Sequence, residues 1–192
     1  MAITDNDKVY ATTRQEWRTW LSENHAKKQG AWLIQFKKNT GRPSLSWSDA
    51  VDEALCFGWI DSIKKKLDDE CAAQFFSRRK PTSTWSRINK EKVNRLIGDG
   101  LMTPAGLERV ETAKRNGSWT ILDKVEALTV PKDLIAAFKL HKGSKRYFDK
   151  LSKSTRKAIL QWLVLAKRPE TRQKRINEVA RLASQHMKPK QF

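Results

Sequence analysis

The spacing of apolar residues changes along this chain, from mixed helical and alternating periods before residue 83 to helical periods after it. Trp17, Trp20 and Leu21 recur at helical spacing behind Thr13 and Glu16, a capping box, and Gly30 follows, so a helix is predicted over 13–28. Residues 31–38 alternate and predict a strand with Trp32, Ile34 and Phe36 on one face. Ser46 is a good N-cap for a helix over 47–57, with Val51, Ala54, Leu55 and Phe57 buried and Gly58 as its stop. Two strands follow, over 59–67 and 71–78, joined as a hairpin through Asp68-Asp69-Glu70. On the first of them Trp59, Asp61, Ile63 and Lys65 are expected to share a side.

Beyond this point the pattern predicts helices. Ser83 or Thr84 caps one running to Ile97, with Trp85, Ile88, Val93, Leu96 and Ile97 as its apolar stripe. Thr103-Pro104, an N-cap followed by proline, starts another that Gly117 ends. Further helices are predicted over 131–140, 144–150, from Ser152 or Ser154 to 167, and from Pro169 onward. Ile159, Trp162, Leu163 and Ala166 face inward in the third of these, and Ile176, Val179, Ala180, Ala183 and Met187 in the last. The fold class is α+β: a small antiparallel sheet of about three or more strands packed with helices, then a helical C-terminal half. The expected division is an α+β region over 1–130 and a basic helical region over 131–192, packed as one globular unit.

Composition narrows the class. The chain has 192 residues, of which 39 % are hydrophobic, with 8 Trp and 7 Phe as core material. That is too apolar for a disordered basic tail, and the length suffices for a core without disulfides. Cys56 and Cys71 lack metal-ligand spacing and read as buried thiols. No apolar run reaches the roughly 18 residues of a membrane span. Met1 to Lys8 has no apolar stretch of the secretory kind, so a cytoplasmic protein is expected.

Charge adds a candidate function. The net charge is +18, and residues 139–192 alone carry 16 basic and 3 acidic side chains. A field of that sign attracts nucleic acid, nucleotides or anionic lipid, although a solvated Lys-rich surface has the same composition. Within it, Arg168, Arg172 and Arg175 share a helix face and form a candidate polyanion-binding set. A second candidate lies between residues 57 and 89, where Trp59, Asp61, Lys65, Arg78, Arg79, Lys80, Ser83, Trp85 and Asn89 combine cations, aromatic rings and hydroxyls at a helix start. Cations neutralise an anion, a helix N-terminus at Ser83 offers N–H groups, and a Trp stacks on a base. A structural reading of the same residues stands beside it: Trp59 and Trp85 as core, Asp61 as an ion-pair partner, Ser83 as a cap. There is no phosphate loop, no His pair at metal spacing and no nucleophile elbow, and His25, His141 and His186 lie far apart. No catalytic residue, cofactor or metal is assigned.

The segments Ala54-Leu55-Cys56-Phe57-Gly58-Trp59-Ile60-Asp61, Phe76-Ser77-Arg78-Arg79-Lys80, Ser83-Thr84-Trp85-Ser86 and Met102-Thr103-Pro104-Ala105-Gly106-Leu107 resemble the YdeI/OmpD-associated, bacteriocin-protection family. So does the tail Ser154-Thr155-Arg156-Lys157, Trp162-Leu163, Glu170-Thr171-Arg172 and Arg175-Ile176, and the likeness covers about residues 13–185. The resemblance implies a stress or protection role without naming a ligand. The tail is also similar to YdhG-like proteins, some of which imply iron binding. Iron needs clustered oxygen ligands, and the one compact acidic cluster here is Asp68-Asp69-Glu70.

Three readings follow. The first is a non-enzymatic binding protein for nucleic acid or a phosphorylated small molecule. The second is a small-molecule enzyme with a pocket around Asp61 and Arg78, Asp61 being its general base. The third is an adaptor for an unknown protein partner in envelope stress.

Overall fold

The computed structural model describes residues 7–192; Met1 to Asn6, part of the stretch read for a secretory signal, lie outside them. The described residues divide into two compact units, one of residues 7–83 and 88–118, the other of residues 84–87 and 119–192.

The first unit is built on a four-stranded sheet in the order β1-β2-β4-β3, with β1 at Lys8–Tyr10, β2 at Gly30–Phe36, β3 at Trp59–Lys66 and β4 at Cys71–Arg78. The hairpin β3–β4 forms as its pattern predicts, and β2 pairs antiparallel with β4, Trp32 opposite Phe75 and Ala31 opposite Phe76. β1 runs parallel to β2, so the sheet is mixed. Three residues are too short to show a period in sequence.

The sheet bears out one expected face and corrects another. In β2 Trp32, Ile34 and Phe36 share a face as their alternation predicts, Trp32 buried and the other two half-buried, while Ala31, Leu33 and Gln35 are buried on the opposite face. The helix α1, at Arg14–Asn24, lies on the Ala31 side: Trp17 meets Phe76 at 5.4 Å and stacks on Trp20 at 5.0 Å. Trp20 meets Trp59 edge-on at 5.9 Å. In β3 an irregularity between Asp61 and Lys64 shifts the register, so Asp61 pairs with Phe76 but Lys65 with Ala73. Phe76 and Ala73 are three positions apart on β4, so Asp61 and Lys65 face opposite ways.

Helix α1 is shorter than predicted. Thr13 accepts from the Glu16 N–H at 3.2 Å, and the Glu16 carboxylate reaches back chiefly to the Thr12 N–H at 2.7 Å, with a weaker contact to the Thr13 N–H of the expected capping box. The helix α2, at Trp47–Cys56 behind its Ser46 cap, is buried almost all round, including Asp52 and Glu53. Burying two carboxylates is tolerable because each is doubly paired. Glu53 accepts from Arg14 and Arg18, both at 2.7 Å, and Asp52 from Lys92 at 2.5 Å and from Arg95. These pairs tie α1 and the helix α3, at Arg87–Gly98, to α2. Helix α3 begins at Arg87, past the predicted Ser83 or Thr84, and Ile88 and Ile97, expected in its apolar stripe, are exposed.

The last helix of this unit, α4 at Pro104–Arg115, packs on α2 at a glycine. A Cβ on Gly106 would lie 2.3 Å from the Cys56 carbonyl oxygen. That carbonyl accepts from Thr103 Oγ1 at 2.6 Å and Thr103 N at 3.1 Å.

The second unit has its own core, of Leu134, Phe138, Phe148, Ile159, Leu163, Ile176 and Val179 among others. It is formed by α5 (Asp123–Glu126), α6 (Lys132–Lys139), α7 (Ser144–Lys150), α8 (Lys153–Val164) and α9 (Pro169–Ser184). Helix α8 stops three residues before the predicted end. Met187, expected inward, lies beyond the end of α9 and is exposed. Trp85 packs against Trp119 in this unit at 5.0 Å.

Candidate anion site

The site begins with the antiparallel pairing of β2 and β4. It sets Gly30 opposite Ser77 and Trp32 opposite Phe75, and leaves β4 running out into Arg78-Arg79-Lys80-Pro81 beside the segment that precedes β2. The Phe75 ring lies over Gly30, where a Cβ would sit 2.4 Å from Cζ. Arg78 fastens the two segments: its Nε donates to the Lys28 carbonyl at 2.8 Å, its Nη2 donates to the Ala26 carbonyl, and its backbone N–H donates to Gln29. Arg79 N–H donates to the Gly58 carbonyl at 2.9 Å. The Pro81 carbonyl accepts from Asn116 at 2.8 Å and from Ser118 at 3.3 Å, which holds the exit turn.

Helix α4 closes the other side. Gly58 has φ +71°, and a Cβ there would lie 2.7 Å from Arg109 Cγ and 3.0 Å from the Ala105 carbonyl oxygen. The glycine therefore serves both the turn after α2 and the close approach that delivers Arg109.

These elements enclose a half-open cavity of about 800 Å³. Its lining brings together Lys28, Arg78, Arg79, Lys80 and Arg109 over Trp32 and Phe75, with Asp7 as the one carboxylate among the described residues. Arg79 is 98 % buried, and burial pushes its guanidinium down to about 9, only partly offset by the charge of Asp61. It remains a cation at neutral pH, in surroundings that strengthen its attraction for an anion. The arrangement can hold phosphate or carboxylate groups. Among the described residues, Ser77 is the one hydroxyl-bearing side chain in the lining, and no His, Cys, Asp and Glu group has a metal-holding arrangement.

The sequence-derived candidates divide accordingly. Arg78, Arg79 and Lys80 line the cavity. Trp59 is 1 % exposed and donates from Nε1 to the His25 carbonyl at 3.3 Å, within the core. Asp61 accepts from Trp47 Nε1 at 3.0 Å, outside the lining. Lys65 sits 5.3 Å over the Trp32 ring. Ser83 lies four residues before α3 and donates its N–H to the Lys80 carbonyl, so no helix N-terminus forms at that residue. Within the second unit, the Arg87 N–H donates to Glu126 at 3.4 Å. Trp85 belongs to the Trp119 pair, and Asn89 is half-buried on α3.

Arg168 is exposed at the start of α9. Arg172 donates to Asp133 at 2.7 and 3.1 Å and to the Leu163 carbonyl at 2.9 Å. Arg175 lies 4.7 Å over the Trp162 ring and donates to the Trp162 carbonyl at 2.5 Å. Arg172 and Arg175 thus satisfy carbonyls at the C-terminal end of α8, where the helix dipole favours cations. Lys28, Arg109 and Trp32 were not among the candidates. Nothing local marks Lys28 and Arg109 as partners of Arg79, since only strand pairing and the docking of α4 bring them there.

Residues 9–109 match the family described as a domain of unknown function (DUF8412), just over half of the chain. Residues 127–186 match the family described as bacteriocin-protection, YdeI or OmpD-associated, and that span holds the tail signature read from the sequence. The segment Ala54–Asp61 lies within the first match. No curated protein and no solved structure matches the chain.

Proposed function

The chain belongs to the family of the domain of unknown function DUF8412, and on that premise we propose, from the site itself, a non-enzymatic protein that binds a phosphorylated small molecule in the cavity beside Arg79. The observation that carries the reading is the convergence of Lys28, Arg78, Arg79, Lys80 and Arg109 on about 800 Å³ with a single carboxylate among the described residues. Such a volume suits a small ligand, and cations that converge suit one anion better than an extended strand. Asp61, the general base of the enzyme reading, is held by Trp47 outside that lining, which favours binding over catalysis. The bacteriocin-protection description of the family matched by residues 127–186 supports placing this binding in a protective response. Two free cysteines suit a reducing compartment, which supports the cytoplasm.

The test reverses charge where no side-chain hydrogen bond is lost. Arg78, Arg172 and Arg175 hold carbonyls, so their reversal would disturb the fold. Lys80→Glu with Arg109→Glu leaves those bonds intact. Pyrophosphate and a short single-stranded oligonucleotide are titrated calorimetrically at 50 and 200 mM salt. Each reversal changes the local charge by two, and even in water a unit charge at contact is worth about 1 kcal/mol. Pyrophosphate affinity should therefore fall at least about tenfold in the double variant. Equal affinity in wild type and variant refutes the site. Tight oligonucleotide binding that weakens steeply with salt, with none for pyrophosphate, would put nucleic acid in place of the small ligand.

A further inference from the structure

The other end of the same two strands carries a second cavity, of about 720 Å³, that among the described residues shares no lining residue with the first. It touches Gln35 and Phe36 of β2 and Cys71 and Ala72 of β4, whereas the first touches Gly30, Trp32, Phe75 and Ser77. Lys37, Lys38, Arg42, Lys64 and Lys66 line it, and among the described residues no carboxylate does. We propose that this cavity binds a nucleoside phosphate, with the phosphates on these cations and the base on the ring of Trp47.

Three observations carry the assignment beyond a solvated basic face. The first is charge. Five cations gather around one space; among the described residues Lys66 forms an ion pair with Asp69 at the hairpin tip, and the charge of Lys37 acts on Asp68 beside it. The mutual repulsion of the others is relieved by an anion that enters between them. The second is the ring. Trp47 is 48 % exposed, while Trp17, Trp59 and Trp85 are fully buried. Its Nε1 donates to Asp61 at 3.0 Å, which fixes the orientation of the indole while leaving its face available for stacking. This contact gives Asp61 a role as a positioning residue.

The third is preorganisation. The segment after β2 is fastened rather than loose. Phe36 N–H donates to Ser44 Oγ at 3.1 Å, Tyr10 OH donates to the Pro43 carbonyl at 2.6 Å, and Gln35 Nε2 donates to the Leu45 carbonyl at 3.3 Å. Arg42 Cζ lies over the Phe36 ring, 3.7 Å from its centroid, so its guanidinium is held without a bound ligand. Ordering these groups in advance removes part of the entropic cost of binding.

The experiment is calorimetric titration with ATP, ribose 5-phosphate and adenosine, and with a short single-stranded oligonucleotide, in 50 mM salt. The variants are Trp47→Ala, the pair Arg42→Gln with Lys64→Gln, and Lys80→Glu with Arg109→Glu from the first cavity. Circular dichroism verifies that each is folded. ATP should bind the wild type more tightly than ribose 5-phosphate or adenosine. Its affinity should fall at least about fivefold in Trp47→Ala and in the Gln pair, and should persist in Lys80→Glu with Arg109→Glu. Trp47→Ala should not alter the affinity for ribose 5-phosphate, which a merely structural role of the ring would not predict. An oligonucleotide that binds more tightly than ATP and is weakened by the same two variants supports the nucleoside phosphate as part of a strand. No ATP binding to the wild type, or equal ATP affinity in wild type, Trp47→Ala and the Gln pair, overturns the proposal. Loss of ATP binding only in the Lys80 and Arg109 variant also overturns it, and leaves the first cavity standing.

Discussion

Replacing Gly106 by alanine tests how the helices of the first unit position the site. The added methyl would lie 2.3 Å from the Cys56 carbonyl oxygen, 2.8 Å from its carbon and 2.9 Å from the Leu55 carbonyl oxygen. All three are backbone atoms, so no side chain can swing aside. Helix α4 must move away from α2 by most of an ångström. That motion stretches both Thr103 contacts to the Cys56 carbonyl, at 2.6 and 3.1 Å. Overpacking of this kind costs about 1–3 kcal/mol. Weakening the bonds to a carbonyl inside the helix junction adds about 1 kcal/mol. Better helix propensity returns at most about 1 kcal/mol. The net expectation is a loss of about 1–3 kcal/mol, which at an m-value of about 2 kcal/mol/M lowers the urea midpoint by roughly 0.5–1.5 M. Gly98→Ala is the control: it lies at the end of α3 with nothing within 4 Å of its Cβ position, and it should be neutral or stabilising by up to about 1 kcal/mol. Urea denaturation followed by circular dichroism reads both. Arg109 lies three residues beyond Gly106, so pyrophosphate affinity should fall with the shift of α4. A midpoint for Gly106→Ala at or above that of the wild type refutes the close-approach argument.

Two further predictions concern the second unit. Burial raises the pKa of Asp133, but the hydrogen bond and charge of Arg172 outweigh it and hold the carboxyl below its ordinary 3.8. A lowered native pKa stabilises above the unfolded value and is lost as pH falls through the native one, so this contribution is present above about pH 4 and disappears below it. Asp133→Asn should cost less than about 1 kcal/mol at pH 7, because both partners are part-exposed, and should flatten the acid limb of a pH–stability curve. An unchanged acid limb would remove Asp133 from that role. Trp85→Phe should lower thermal stability by about 1–3 kcal/mol through lost contact with Trp119, with pyrophosphate affinity unchanged. Weaker binding at unchanged stability would instead make Trp85 a ligand contact.

Local signals were read well where the physics is local. Ser46, Thr103 and Ser152 cap α2, α4 and α8 through their own side chains, accepting from N–H groups three residues on. Pro104 and Pro169 open their helices, and Gly58 and Gly117 adopt positive φ where helices stop. Caps, helix starts and stops need only neighbours in the chain, so residue identity decides them. The hairpin β3–β4 and the α+β class follow for the same reason.

What only the tertiary structure decided is everything that depends on which elements meet. Trp32, Ile34 and Phe36 alternate well, yet α1 packs on the opposite face of β2, because Trp17 and Trp20 engage Phe76 and Trp59 there. Alternation identifies a strand but not which side receives a helix. The register shift between Asp61 and Lys64 separated two residues that a period of two places together. The basic C-terminal pattern was legible, but not that Arg172 and Arg175 would reach the carbonyls at the end of α8. The cationic cavity joins Lys28, Arg79 and Arg109 from three distant stretches. Composition and periodicity determined that the chain would fold and carry positive charge. Long-range pairing and the close approach at Gly58 and Gly106 determined where that charge converges, because a long-range contact leaves no mark in the residues between its ends.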